Sequence, residues 1–508
     1  MEDIARQLYV VSDIHIGGVY PDPEKDSDGQ RGFRIATHIP RFTEFLRALS
    51  EKPVTNCEVE LVVNGDFIDF LAEVDDSPGQ WVSFTHNVEM AEKKLREIVR
   101  RDQPVFDALS EFLNRGHRLT ILLGNHDIEL ALPKVRQCFA GLLSIKESHK
   151  FQFIFDGEAY VAGDVLIEHG NRYDKFNVVD HDGLRRVRSL QSRNQNIPAK
   201  YAFQSPPGSD IVATIMNPIK VEYPFIDLLK PETEAAIPVL LALEPGARSK
   251  ISKIASIALR ANKHKMEDAA LPGFGGDIRS EDDITFFGDD ISSPGDEPYA
   301  DDPLRKVLTD YLGEDATDFM AELERSSPQE EKVSIGEDIS SGFSDSIGET
   351  FSRGLSLMGL LLASNNADIE RRLPLLLKAI RILSKDDSFN RSIESASEYL
   401  DAASELAGRG FSCVIFGHTH LPKDVSLANG ARYINTGTWA DYMKFPESIV
   451  NGAEDEAMEG LREFVGDLRL GKLGSWVGFS PTYARVDLGS DEVMLKAELC
   501  DYQGGQDI

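Results

Sequence analysis

A short apolar run that stops on a cluster of metal-binding side chains most limits what this chain can fold into. Residues 119–123 read as a buried strand that ends at Gly124. Asn125, His126 and Asp127 follow where the backbone leaves the sheet. They offer a carbonyl oxygen, an imidazole and a carboxylate in the crevice where open α/β sheets place their ligands. The event recurs four times. Residues 8–12 end at Asp13-Ile-His15, whose one-residue gap sets both side chains on one side of an extended backbone. Residues 59–63 end at Gly65-Asp66-Phe-Ile-Asp69, 165–168 at His169, and 412–416 at Gly417-His418-Thr-His420. Singly, each cluster has an ordinary explanation as a turn, an Asx cap or a satisfied core histidine. Five of them at strand C-termini do not.

Between these runs the spacing predicts helices over 39–49, 88–100 and 105–113, with Pro104 at a helix start and Gly116 at a stop. Later come a hairpin over 425–434 turning at Asn429-Gly430, a helix over 453–468 and two closing strands over 483–498. Parallel-type strands separated by helices, followed by hairpins, indicate an α/β fold, a layered β-sandwich flanked by helices. The 508 residues exceed one ordinary domain. The chain divides into a first core part over 1–183, a large mainly helical insertion over 184–406 and a second core part over 407–508. Amphipathic pieces at 355–362 and 373–383 lie in the insertion, and a cap over the site is its expected role.

The net charge of −31 is unevenly spread. Residues 267–349 hold 24 Asp and Glu against 5 Lys and Arg, a local balance of −19 that leaves −12 elsewhere. Residues 273–302 lack the alternating ligands and central glycine of a calcium loop and read as an acidic, solvated linker. Non-specific binding to nucleic acid or anionic membranes needs a basic face, so neither partner is favoured. Residues 171–200 run against the trend, with seven basic and three acidic residues, a balance of +4. Starting just after His169, this stretch is in reach of a nucleotide or pyrophosphate group, and Arg172 is the expected substrate-binding residue. The competing reading is a solvated helix face or an internal partner for the acidic segment. Cys57, Cys138, Cys413 and Cys500 show no paired spacing. No run approaches the ~18–20 apolar residues of a membrane span. With a strand already running at residue 8, the expectation is a cytoplasmic protein with no leader to cleave.

In order and spacing the five clusters resemble the calcineurin-like metallophosphoesterase superfamily, whose pattern is Asp-x-His, Gly-Asp-x-x-Asp, Gly-Asn-His-Asp/Glu, a later His, and Gly-His-x-His. Every position is filled here, over about residues 8–170 and 411–440. The resemblance implies two divalent metal ions, manganese, iron or zinc. Asp13, His15, Asp66 and His420 would hold one. Asp66, Asn125, His169 and His418 would hold the other, with Asp66 bridging. It implies in-line attack on phosphorus by a shared hydroxide, with His126 as the acid that protonates the leaving oxygen and Asp69 orienting it. Asp127 either supports the ligands from behind or caps the next helix, and the cap is the favoured reading.

The resemblance narrows the substrate in part. Phe70-Leu71 stand where serine/threonine protein phosphatases of this superfamily carry Arg-Gly, and Gly-Asn-His-Asp replaces their Gly-Asn-His-Glu. UDP-diacylglucosamine pyrophosphatases share several elements but follow His-Gly with Asp, where this chain has Asn171. The expected activity is hydrolysis of a small anionic phosphomonoester, phosphodiester or nucleotide. The rivals are a DNA-repair-type nuclease, a UDP-sugar-lipid pyrophosphatase, and a non-catalytic binding protein on the same fold. Oligomeric state is not readable from these residues.

Overall fold

The computed structural model describes residues 4–19, 33–53, 57–75, 80–145, 148–174, 176–229, 239, 369–383 and 389–505. The acidic stretch 273–302, the piece at 355–362 and most of the expected insertion lie outside the described residues.

Strand β1 (Ile4–Val11) is followed by α1 (Ile39–Ser50) and β2 (Glu58–Asn64). Helices α2 (Val88–Arg101) and α3 (Gln103–Asn114) lead to β3 (Arg118–Leu122), and α4 (Pro133–Leu142) leads to β4 (Phe151–Ile154). Each crossover returns the chain in the same direction, so these four strands pair in parallel. The chain then builds a second sheet from β5 (Tyr160–Ala162), β6 (Val165–Ile167), β7 (Cys413–Phe416), β8 (Lys423–Ser426) and β9 (Arg432–Asn435), in the order β5-β6-β7-β9-β8. A small pair, β10 (Tyr442–Met443) and β11 (Val477–Gly478), precedes β12 (Thr482–Gly489) and β13 (Met494–Asp501). These last two add antiparallel strands on the far side of β1, giving β13-β12-β1-β2-β3-β4.

The two-residue period of the strands separates the layers. Leu8, Val10, Val62 and Leu122 of the first sheet meet Ile167, Cys413, Ile415 and Ile434 of the second. The alternate residues, Tyr9, Val11, Leu61, Val63, Leu119 and Ile121, pack against Phe42, Phe45, Leu95, Phe106 and Leu109 of α1 to α3. On the outer face of the second sheet, Val414, Phe416 and Tyr433 lie under Tyr399, Ala403 and Ala407 of helix Ser397–Gly408. The result is a helix–sheet–sheet–helix stack, the layered sandwich expected from the strand pattern. Where both faces are covered, as at Leu8–Val11, Leu61–Val63 and Cys413–Phe416, the strands are continuous apolar runs rather than alternating ones.

Within the 184–406 stretch, the described residues include helix Leu373–Leu383. Its Leu373, Leu376, Leu377 and Ile380 face Leu461, Phe464 and Val465 of helix Glu454–Arg469, the stripe that helical periodicity requires. No described helix is long and apolar enough to cross a membrane.

Candidate metal centre

The loops leaving β1, β2, β3, β6 and β7 converge at one end of the two sheets. Asp13, His15 and His420 offer donor atoms that all lie within 4.8 Å of one another, and so do Asp66, His169 and His418. Asp66 joins the two groups, its Oδ2 standing 3.2 Å from His169 Nε2 and 3.9 Å from His15 Nε2. His15 Nε2 is 3.0 Å from His420 Nε2, across 405 residues of sequence. A third group, His15, Asp69 and His126, meets the same 4.8 Å limit beside them. Asn125 is joined through a hydrogen bond from its Nδ2 to Asn177 Oδ1 at 3.4 Å. The metal-ligand and acid residues expected from sequence are therefore brought to one place.

The backbone there is held in an uncommon shape. Asp13 (φ 53°), His15 (53°), Asp66 (49°), His418 (70°) and His420 (61°) all occupy the left-handed region, five of the eight non-glycine residues that do so among the described residues. Each costs roughly 1–3 kcal/mol and persists only where its surroundings fix it. The loops fix one another. His15 N donates to Asp66 O at 2.9 Å, Ile14 N to the same oxygen at 3.1 Å, and Gly417 N to His169 O at 2.9 Å. His126 N in turn donates to Asp66 Oδ1 at 2.8 Å.

Residues 7–225 match the family model of the calcineurin-like phosphoesterases. This match supports placing the chain in the calcineurin-like metallophosphoesterase superfamily. No curated protein matches it. The family supports metal-dependent phosphoester hydrolysis, with two divalent ions as the usual complement. The matched region ends before the Gly-His-Thr-His segment, which the chain adds from β7, beside β6 in the second sheet.

The side chains gathered here fit such ions. His169 Nδ1 lies 2.8 Å from the Asn64 carbonyl, so Nδ1 carries the proton and Nε2 keeps its lone pair. That Nε2, Asp13 Oδ1 and Asn125 Oδ1 are buried without a hydrogen-bond partner. Leaving such atoms unpaired costs about 1–3 kcal/mol each, and a cation removes that cost. Burial opposes ionisation of Asp13, yet His420 and His169 hold its carboxyl down at about 2. Burial likewise works against the Asp66 carboxylate, and His169 and His126 keep it well below the ordinary range. The donor set is anionic oxygen plus imidazole, suited to manganese, iron or zinc alike.

Gly124 packs directly against the Asp66 carboxylate. A Cβ there would stand 2.1 Å from Asp66 Oδ1 and 2.4 Å from Asp66 N. Gly124→Ala is expected to displace the shared carboxylate, destabilise the fold by about 1–3 kcal/mol and weaken ion uptake. Thermal midpoint and metal stoichiometry measured together test this, and wild-type values for both would refute it.

The expectation for Asp127 needs correction. It occupies the position before the short 3-10 turn Ile128–Ala131 but makes no capping bond to it. Its carboxylate turns back, accepting from Gly124 N at 2.7 Å and Phe67 N at 2.9 Å, and so staples the loop after β2 to the loop after β3. Burial and the Asp66 charge push it up to about 7. Arg172 lines a small cavity together with His169. Its guanidinium is occupied by the Gly157 carbonyl at 2.5 Å and Glu168 Oε2 at 3.1 Å. Sequence reading passed over Asn64, which orients His169, and Thr438, whose hydroxyl donates to Asp13 O at 2.8 Å. It also passed over Asp174, 3.1 Å from His418 Nε2. Only Asn64, the last residue of a strand that ends on Gly-Asp, carried any signal.

Proposed function

We propose that this protein hydrolyses a small anionic phosphate ester, a monoester, diester or nucleotide, at a dinuclear centre. Asp13, His15, Asp66 and His420 would hold one ion, and Asp66, Asn125, His169 and His418 the other. The observation that carries this reading is the pair of three-residue donor groups joined through Asp66, with unpaired buried donor atoms among them. When bound, such a pair supplies positive charge to the phosphoryl oxygens and a hydroxide nucleophile near neutral pH.

The acid is His126. Its Nδ1 lies 3.1 Å from Asp69 Oδ1, which fixes the ring and leaves Nε2–H to protonate a leaving oxygen. Burial disfavours the imidazolium, but Asp69 and Asp66 outweigh it and raise the group to about 9. Asp69 stays ionised: burial works against its charge, and His126 and His15 hold it below the ordinary carboxylate range. Without ions beside it, the protonated ring is therefore the favoured form near neutral pH, the form that leaving-group protonation requires.

The test is turnover by the manganese-loaded full chain on nitrophenyl phosphate, nitrophenyl diesters, nucleotides, UDP-sugars and single-stranded DNA. Hydrolysis of at least one small ester is expected. Two bound ions with no turnover on any of them would leave the binding-protein reading in its place. Arg172 is the proposed contact for a distal anionic group, reached by exchanging Glu168 for substrate. Arg172→Ala is expected to raise KM several-fold for a nucleotide and leave kcat near wild type. Unchanged KM would confine Arg172 to holding Glu168. The four cysteines are unbridged, consistent with the reducing cytoplasm proposed as its compartment.

A further inference from the structure

One short loop after β6 stands behind two of the groups proposed for the second ion. Asp174 Oδ2 lies 3.1 Å from His418 Nε2. Asn177 donates its Nδ2 to the same Oδ2 at 2.6 Å, and its Oδ1 accepts from Asn125 Nδ2 at 3.4 Å. The loop is itself pinned. Asp174 Oδ1 accepts from Phe176 N at 2.9 Å, and Asn171 donates Nδ2 to the Asn177 carbonyl at 2.8 Å. Gly208 N donates to Phe176 O at 2.7 Å, and a Cβ on Gly208 would stand 2.2 Å from Asn177 Oδ1.

Each of these bonds decides which atom a ligand presents. Neutral imidazole has one N–H and one lone pair. A proton held on His418 Nε2 by Asp174 leaves the lone pair on Nδ1. The Asn125 amide has two ends, and only its oxygen suits a hard cation. With Nδ2 tied to Asn177, Oδ1 is the free end, and it is buried without a partner. His418 and Asn125 thus take their orientation from a single carboxylate–amide pair. Two of the other ligands are held from elsewhere: His169 is oriented by Asn64 O, and the backbone of Asp13 is held by Thr438.

We propose that Asp174 and Asn177 are positioning residues that select the donor atoms of His418 and Asn125 and so set the affinity of the second metal site alone. This rests on the dinuclear reading above. Removing a group that orients a metal ligand typically weakens binding by about 10–100-fold. The loss falls on the second ion, because His418 and Asn125 are assigned to that site alone. Asp174 and Asn177 act through one hydrogen bond, so their effects overlap rather than add.

Manganese titration by calorimetry, with metal content after dialysis and the thermal midpoint of the metal-free chain, tests this on the full-length protein. Wild type is expected to take up two ions. Asp174→Ala and Asn177→Ala should keep the first at wild-type affinity and bind the second about 10–100-fold more weakly. The exchange-coupled two-manganese electron spin resonance signal should give way to that of an isolated ion. Asp174→Asn keeps an acceptor in the same shape, so it should recover part of the affinity; it also carries the test if the alanine variant does not fold. The double variant should be little worse than either single one. Two ions bound at wild-type affinity in Asp174→Ala or Asp174→Asn, or equal weakening of both sites, would overturn the positioning role. A wild-type chain that takes up no ion would instead sink the dinuclear reading on which the role depends.

Discussion

Asp66→Asn is expected to strip the protein of paired ions and to lower kcat/KM for phosphate-ester hydrolysis by a thousandfold or more, on the order of several kcal/mol of lost charge stabilisation. Asp66 sits between the two donor groups, with Oδ2 facing His169 and His15 while Oδ1 accepts the His126 backbone N–H. An amide in its place keeps the shape but presents a neutral oxygen at both ends of the cluster. It also removes one of the two carboxylates that hold His126 protonated. Metal content per chain and kcat/KM on nitrophenyl phosphate measure the result. A variant that retains two ions and turns over within tenfold of wild type would mean that this carboxylate bridges nothing.

His126→Ala is the second large effect, with a different signature. Positioned proton transfer contributes about 10²–10⁴-fold, and only where the leaving group needs the proton. The variant should therefore lose that factor on an alkyl phosphate or nucleotide while changing little on a nitrophenyl ester, with both ions kept. The pH profile carries the sign. The folded-state pKa of His126 is raised from 6.5 to about 9, so the acid form is present below that value and is lost as pH rises through it. Cations bound beside the ring lower it by like-charge repulsion, so the alkaline limb of wild-type kcat falls at or below pH 9. That limb should vanish in His126→Ala on the alkyl ester. Equal losses on both esters would assign His126 to metal binding rather than proton transfer.

Much of the site was legible in the sequence because strands must end somewhere. The ends that carry chemistry stand next to glycine or in one-apart pairs, and the order of the five clusters does the rest. Asp13-Ile-His15 and Gly417-His418-Thr-His420 read as partners although nothing local links them. Helices α1 to α3 were also legible, from apolar stripes over 12, 14 and 12 residues. Strands β4 and β5 were not, being four and three residues long with little period to detect. Asp174 and Asn177 left no trace, since a polar residue in a loop looks the same whether it faces water or the back of a histidine. Asp127 shows the reverse failure. Its place before a helical turn was legible, but the direction of its carboxylate was set by Gly124 and Phe67, which only the folded loops bring near.

Strand β1 lies between β2, which follows it closely, and β12, which starts at Thr482. On a ribosome adding about 5–20 residues per second, β1 waits on the order of half a minute or more for that second neighbour. Throughout that interval its outer row of amides and carbonyls is an open template, and the opposing sheet over Leu8 and Val10 stays incomplete until Ile415 and Ile434 emerge. The nascent protein must therefore shield its own first strand for most of its synthesis. A messenger cut short before Thr482 would yield chains with that edge permanently bare, prone to zip together with one another rather than to fold alone.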